Sequence, residues 1–278
     1  MTLFELKRKL IEIGEGLEDP MLEARVILSY LGFSPIDQIT NKDVPIPSDI
    51  EDKAIAMMEK RASGYPMAYI TGTKEFWGME FKVNENVLIP RPDTETLVEN
   101  AIILYRENKM KGDVLDLCTG SGAIATALSV ELDRDIKMGD ISPLAAEVAK
   151  ENYERLTKRK ADIRIGDLFE KWEGSKFSLI VSNPPYLTEK WCEEVEEDVK
   201  KEPKLALFGY DDDGLGIIRR IIKESGKFLE KEGYIALECD YRQCSILSLL
   251  LETEGYSSVN IKKDLAGKDR VVYGKYNG

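Results

Sequence analysis

Val114-Leu115-Asp116-Leu117-Cys118-Thr119-Gly120-Ser121-Gly122-Ala123 decides the fold. A short apolar run ends in a turn rich in small residues, and Ala123 opens a helical stretch. Glycines at such a turn let the backbone approach a ligand closely, at the carboxyl end of a strand where open α/β sheets bind nucleotides. Asp140 ends the next strand, eighteen residues after Gly122, where a carboxylate can accept both ribose hydroxyls.

Outward from this turn, strands and helices alternate. The apolar runs Val114–Leu117, Ile136–Asp140, Ile163–Gly166, Leu179–Ser182, Tyr234–Cys239, Val259–Lys262 and Arg270–Tyr273 read as strands. Helical patterns fall near 122–130, 143–156, 214–230 and 241–254. This order predicts an α/β fold with a doubly wound, mostly parallel sheet. The last two strands are joined by a short loop holding Gly267, too short for a crossover helix, so they form an antiparallel hairpin at one edge.

Upstream, residues 1–70 read as a helical bundle. Leu3, Leu6, Leu10 and Ile13 make one stripe, and Leu22, Val26, Ile27 and Tyr30 another. Ser48 is placed to cap a helix over Asp49 to Arg61. The period then changes: Phe76 to Val83 followed by Asn86 to Ile89 reads as a hairpin, and Pro90 and Pro92 lead into a helix near Asp93.

The cofactor loop alone leaves two ligands open. Gly120-x-Gly122-x-x-Ala125 satisfies the looser dinucleotide fingerprint. Asp116 would repel a pyrophosphate but attract the sulfonium and ammonium of S-adenosylmethionine. Asp167, after the third strand, is placed to take an adenine amino group. A glycine-rich turn with no ligand is the bland alternative.

Ser182-Asn183-Pro184-Pro185-Tyr186 follows the fourth strand, at the same edge of the sheet. Proline has no N–H, so the loop presents carbonyl acceptors with few competing donors, and the Asn183 side-chain oxygen adds one if its amide is so oriented. Two acceptors on an NH2 group would hold its hydrogens and aim the nitrogen lone pair, with Tyr186 offering a face to a planar amide or ring. Asn-Pro and Pro-Pro are also ordinary turn pieces.

Composition narrows the chemistry. The 278 residues contain no histidine, which excludes His-based triads and imidazole zinc sites. Cys118, Cys192, Cys239 and Cys244 include no Cys-x-x-Cys pair, as expected of a reducing cytoplasm. A net charge of −12 disfavours broad nucleic-acid binding. Neither a signal peptide nor a membrane span is evident, so a cytoplasmic location is expected. The Asp211–Asp213 run reads as a solvated loop, without the spacing of a calcium loop.

The chain resembles the protein-(glutamine-N5) methyltransferases, the HemK/PrmC family that modifies peptide chain release factors. Tyr69-Ile70-Thr71-Gly72, Glu75-Phe76-Trp77-Gly78, Leu88-Ile89-Pro90-Arg91-Pro92-Asp93-Thr94-Glu95, Asn183-Pro184-Pro185-Tyr186, Glu202-Pro203 and Lys263-Asp264-Leu265-Ala266-Gly267 carry the likeness, along nearly the whole length. The resemblance implies an N-terminal substrate-recognition domain over 1–70, a hairpin linker over 71–92, and a Rossmann-like S-adenosylmethionine-dependent methyltransferase domain over 93–278. It implies that Cys118, Thr119, Gly120, Ser121, Gly122, Asp140 and Asn183 hold the cofactor, and Asp116, Asp167 and Leu168 complete the expected cofactor-binding set. The glutamine of a Gly-Gly-Gln tripeptide would enter the pocket of Asn183, Pro184, Pro185 and Tyr186. The release factor is then the partner, with no membrane and no direct nucleic-acid binding. Cys118, Tyr210 and Asp240 stand where the family usually has glycine. Because Asn-Pro-Pro-Tyr also serves adenine-N6 methyltransferases, methylation of DNA or RNA adenine stays open, as do a nicotinamide-dependent oxidoreductase and a cofactor-free adaptor.

Overall fold

The computed structural model describes residues 1–278, which divide into two compact units. The smaller comprises Met1–Thr73 with Glu196–Lys201, and the larger comprises Lys74–Val195 with Glu202–Gly278.

The smaller unit is helical: α1 (Leu3–Ile13), α2 (Pro20–Tyr30), α3 (Asp37–Thr40), α4 (Ser48–Ala62) and α5 (Met67–Thr71). Thr2 and Glu5 form a reciprocal capping box on α1, and Asp19 caps α2 with Pro20 in its first turn. Leu3, Leu6 and Leu10 are buried as their spacing predicts. The face of α2 differs from expectation. Ala24, Ile27 and Leu28 are buried, whereas Leu22 and Tyr30 are exposed. Leu28 and Ala24 continue the Ile27 row at the i, i+3/i+4 spacing that the core selects. Ser48 is the first helical residue of α4 rather than its cap, because Pro47 takes the cap position. Arg61 closes the unit, its Nε 2.7 Å from Glu23 and its Nη2 3.7 Å from Asp198.

From Lys74 onward the larger unit opens with a hairpin of β1 (Thr73–Phe76) and β2 (Met79–Lys82). Trp77 and Gly78 both have positive φ, as a two-residue type I′ turn requires. The expected second strand at Asn86–Ile89 does not form. Val87 and Ile89 are instead buried in an irregular segment whose Ile89 N–H donates to the Glu202 carboxylate at 2.9 Å. Phe76 and Phe81 pack into the main core, and Trp77 donates its indole N–H to Glu131 at 3.1 Å.

Then follow α6 (Glu95–Glu107), β3 (Val114–Leu117), α7 (Ala123–Leu132), β4 (Lys137–Asp140), α8 (Pro143–Thr157), β5 (Asp162–Ile165), β6 (Phe177–Ser182), α9 (Glu189–Glu194), α10 (Lys204–Leu207), α11 (Gly216–Ser225), β7 (Leu229–Glu238), α12 (Cys244–Thr253), β8 (Tyr256–Lys263) and β9 (Asp269–Tyr276). The helix expected to reach residue 230 stops at Ser225, where the chain turns into the longest strand, β7. Strand order is β5-β4-β3-β6-β7-β9-β8, with the first five parallel and β9 antiparallel to both β7 and β8.

Central strands β3 and β6 are buried along their whole length, so both faces must be covered. Alternation sends Val114, Leu179 and Val181 toward the core built with α6, α7 and α8. Leu115, Leu117 and Ile180 face the core built with α11 and α12. The strand order reverses at the β3/β6 pair, where Leu117 stands opposite Ser182. That register brings the loops after the two strands side by side, the crevice position for a ligand in an open α/β sheet.

Candidate active site

A cavity of about 660 Å³ opens at this reversal, within the range of small-molecule sites. Cys118, Thr119, Gly120 and Ser121 line it from the β3 loop, Asp140 from the end of β4, Asp167 and Leu168 from the loop after β5, and Asn183 and Pro185 from the loop after β6. Asp116, Gly122, Pro184 and Tyr186 are not among the lining residues.

Asp116 faces α7 because it alternates with Leu115 and Leu117 along the strand. Its Oδ2 accepts the Thr119 hydroxyl at 2.6 Å and the Ala125 N–H at 3.2 Å, which ties the loop to the first turn of α7. Burial pushes its carboxyl up to about 7, and Oδ1 is buried without a partner. Asp116 therefore braces the loop from beneath. Gly122 serves packing: it has φ +77°, and a Cβ there would lie 3.0 Å from the Ala149 Cα of α8. At Gly120, by contrast, a Cβ would meet nothing within 4 Å and would project into open space at the lining.

Asp140 accepts the Gly120 N–H at Oδ2 and the Ser142 N–H at Oδ1, each at 2.9 Å. The two bonds fix its plane and leave further lone pairs for hydroxyl donors. Cys118 adopts φ +58°, the conformation that explains glycine at this place. Burial, with Asp140 adding to it, raises its thiol, so it stays neutral. Asp167 is engaged by Arg220 at 2.8 Å, leaving less freedom for an adenine amino group than the sequence reading assumed.

The acceptor loop is held from behind by Thr94, which lies in a quoted motif, and by Glu238 and Gln243, which do not. Asn183 donates from Nδ2 to Thr94 Oγ1 at 3.1 Å. The Tyr186 hydroxyl donates to the Glu238 carboxylate at 3.4 Å, and its ring packs on the core beside α11 and α12 instead of offering a platform in the cavity. Gln243 donates from Nε2 to the carbonyls of Tyr186 and Asp213, both at 2.8 Å. Glu238 is pushed up to about 7, chiefly by burial; Asp93 adds to this, while Thr94, Arg270 and Tyr186 oppose it. Arg270 in turn pairs with Asp93 at 2.9 Å and Asp264 at 3.1 Å. Asp93 is thus an ion-pair partner.

Arg91 pairs with the buried Glu202, which joins two of the quoted motifs. The Asp211–Asp213 run is not simply solvated: Arg219 pairs with Asp211 at 3.1 Å and with Asp213, whose carboxyl it lowers. Tyr210 and Asp211 both have positive φ, again where glycine would cost least. Arg242 neutralises Asp240 and lies over the Trp191 ring at 3.5 Å.

Residues 5–72 match the family model described as the PrmC N-terminal domain, and residues 94–202 match the Methyltransferase small domain. A release factor glutamine methyltransferase of Vibrio cholerae serotype O1 is 40% identical over 267 residues, covering 94% of this chain and 91% of the relative. One of Clostridium acetobutylicum is 40% identical over 258 residues, covering 91% and 90%. Among solved structures, the hMettl16 catalytic domain in complex with MAT2A 3'UTR hairpin 1 matches with a TM-score of 0.60 at 14% identity, covering 91% of this chain and 90% of that one, a likeness of fold alone.

Proposed function

The chain belongs to the release factor glutamine methyltransferase family, and from that premise we propose that it methylates the side-chain amide nitrogen of the glutamine in the Gly-Gly-Gln tripeptide of a peptide chain release factor. The observation that carries this reading is the shared cavity: the loop after β3, Asp140 and Asn183 open into one space because Leu117 and Ser182 are in register.

The residues present fit S-adenosylmethionine. Asp140 retains acceptor capacity for the ribose, Leu168 and Ile141 supply apolar lining, and Gly120 leaves room that a side chain would take. The cofactor supplies an electrophilic methyl group on a sulfonium. Asn183 and Pro185 hold the acceptor. An amide nitrogen is a poor nucleophile because its lone pair is delocalised. Acceptors that grip its hydrogens more strongly as it pyramidalises favour the transition state over the ground state. No strong general base is needed, which suits a chain without histidine. The N-terminal unit serves recognition of the release factor, and the protein acts where translation terminates, in the cytoplasm.

Purified protein incubated with labelled S-adenosylmethionine is expected to label an unmodified release factor and to leave an adenine-containing DNA or RNA unlabelled. The opposite pattern would restore adenine as the acceptor.

A further inference from the structure

Tyr210 is the only aromatic side chain lining the cavity that Asn183 and Pro185 share, and the residue is 47% exposed. We propose that Tyr210 is a specificity-determining residue for the acceptor: its ring forms the flat wall against which the planar side-chain amide of the incoming glutamine lies. This rests on the function proposed above and deepens it by naming the residue that recognises the amide plane.

The backbone around Tyr210 sets its place. The Gly209 N–H donates to the Leu187 carbonyl at 2.9 Å, and the Gly209 carbonyl accepts the Ile217 N–H at 3.2 Å. A Cβ at Gly209 would stand 2.7 Å from the Tyr186 Cα and 2.8 Å from the Pro185 carbonyl oxygen, so the two loops touch through their main chains. Tyr210 therefore leaves the backbone one residue from the acceptor loop. Phe208 braces its ring, with centroids 4.8 Å apart and planes tilted by 45°.

Two observations set Tyr210 apart from an ordinary surface aromatic. Its φ is +60°, a conformation that glycine adopts freely and that a Cβ opposes. The ring gains little burial in return, since nearly half of the residue stays exposed. Strained side chains of this kind cluster at ligand sites. The cavity also has no other aromatic face, because Tyr186 packs its ring into the core and turns its hydroxyl to Glu238. A planar amide stacks on a ring by dispersion, while its polar atoms stay in plane and open to the Asn183 and Pro185 acceptors. The ring then fixes the amide plane, and the acceptors fix the direction of its nitrogen.

The test is a double-mutant cycle between Tyr210 and the glutamine, read as the Kd of release factor with S-adenosylhomocysteine bound. Tyr210→Gly should raise the Kd for the Gly-Gly-Gln factor by about 3- to 10-fold and leave that for its Gly-Gly-Ala version within about 1.5-fold. Its kcat/KM for methylation should fall by about the same factor, with the Kd for S-adenosylmethionine within about 2-fold. Tyr210→Ala removes the ring without freeing the backbone and should show the same coupling. Tyr210→Phe keeps the aromatic face and should match the parent within about 2-fold. Equal Kd losses for the two factors would overturn the proposal, as would a greater loss for the cofactor than for the release factor. So would coupling in Tyr210→Gly that is absent from Tyr210→Ala, or Tyr210→Phe behaving like either. A parent that neither binds nor methylates a release factor overturns the proposed function, and this assignment with it. A parent that does both but shows no coupling at Tyr210 overturns this assignment alone.

Discussion

Asp140 and Asn183 line the same cavity but serve different halves of the proposed reaction, and substitution should separate them. Asp140→Ala is expected to raise the Kd for S-adenosylmethionine by about 10- to 100-fold, the loss of one or two charge-assisted hydrogen bonds. Asn183→Ala should instead lower kcat by about 100-fold with cofactor affinity within about 3-fold, because its bond acts as the amide pyramidalises. Equilibrium binding beside steady-state kinetics checks both; equal losses in affinity and turnover at Asn183 would make it a cofactor residue. Glu238 supplies a pH test. Its carboxyl is raised from 4.5 to about 7 by burial, so the stability linked to its protonated form is fully present below about pH 4.5 and lost as pH rises through about 7. The total is about 3 kcal/mol. Glu238→Gln should flatten the fall in urea-unfolding free energy across that window by about half, since Asp116 shares it. A slope unchanged from the parent would show that Glu238 is ionised throughout. Asp140 and Asn183 were legible because motif position and strand end coincide there. Glu238 and Gln243 were not: they stand 52 and 57 positions beyond Tyr186, meet it only once the sheet and its last helix have packed, and neither differs in type from an ordinary strand or helix residue.

Among elements, the strands of the central sheet were readable because both-face burial makes them apolar runs, and β3 was located to the residue. The hairpin was displaced because its turn is Trp77-Gly78, and an aromatic at positive φ gives no turn signal. Asn86–Ile89 then passed for a strand although its burial comes from an irregular segment held by Glu202. The loop that crosses the acceptor segment is likewise set by close approach. At Gly214, with φ +73°, a Cβ would lie 2.3 Å from the Tyr186 carbonyl oxygen, whereas at Gly267, with φ +78°, it would meet nothing within 4 Å. Gly267→Ala should therefore cost only the backbone strain of about 1–2 kcal/mol. Gly214→Ala should cost about 3 kcal/mol or more and lower methyl transfer as well, since the Tyr186 carbonyl must move off Gln243. Urea midpoints for the two variants check this, and equal losses would mean that the acceptor loop yields freely.

For the whole molecule, net charge and chain order set what can approach the cavity. The formal charge of −12 disfavours a phosphate backbone there, and the family's activity implies a release factor as the partner that carries an amide into the site. The first strand of the sheet lies inside it and the reversal falls beside it, so residues far apart in sequence share one crevice. The central claim is that this crevice methylates one glutamine. The most direct measurement is transfer of labelled methyl from S-adenosylmethionine to an unmodified release factor and to its Gly-Gly-Ala version. Label on the first and none on the second is the predicted result. Equal label on both, or none on either with cofactor binding intact, would contradict it.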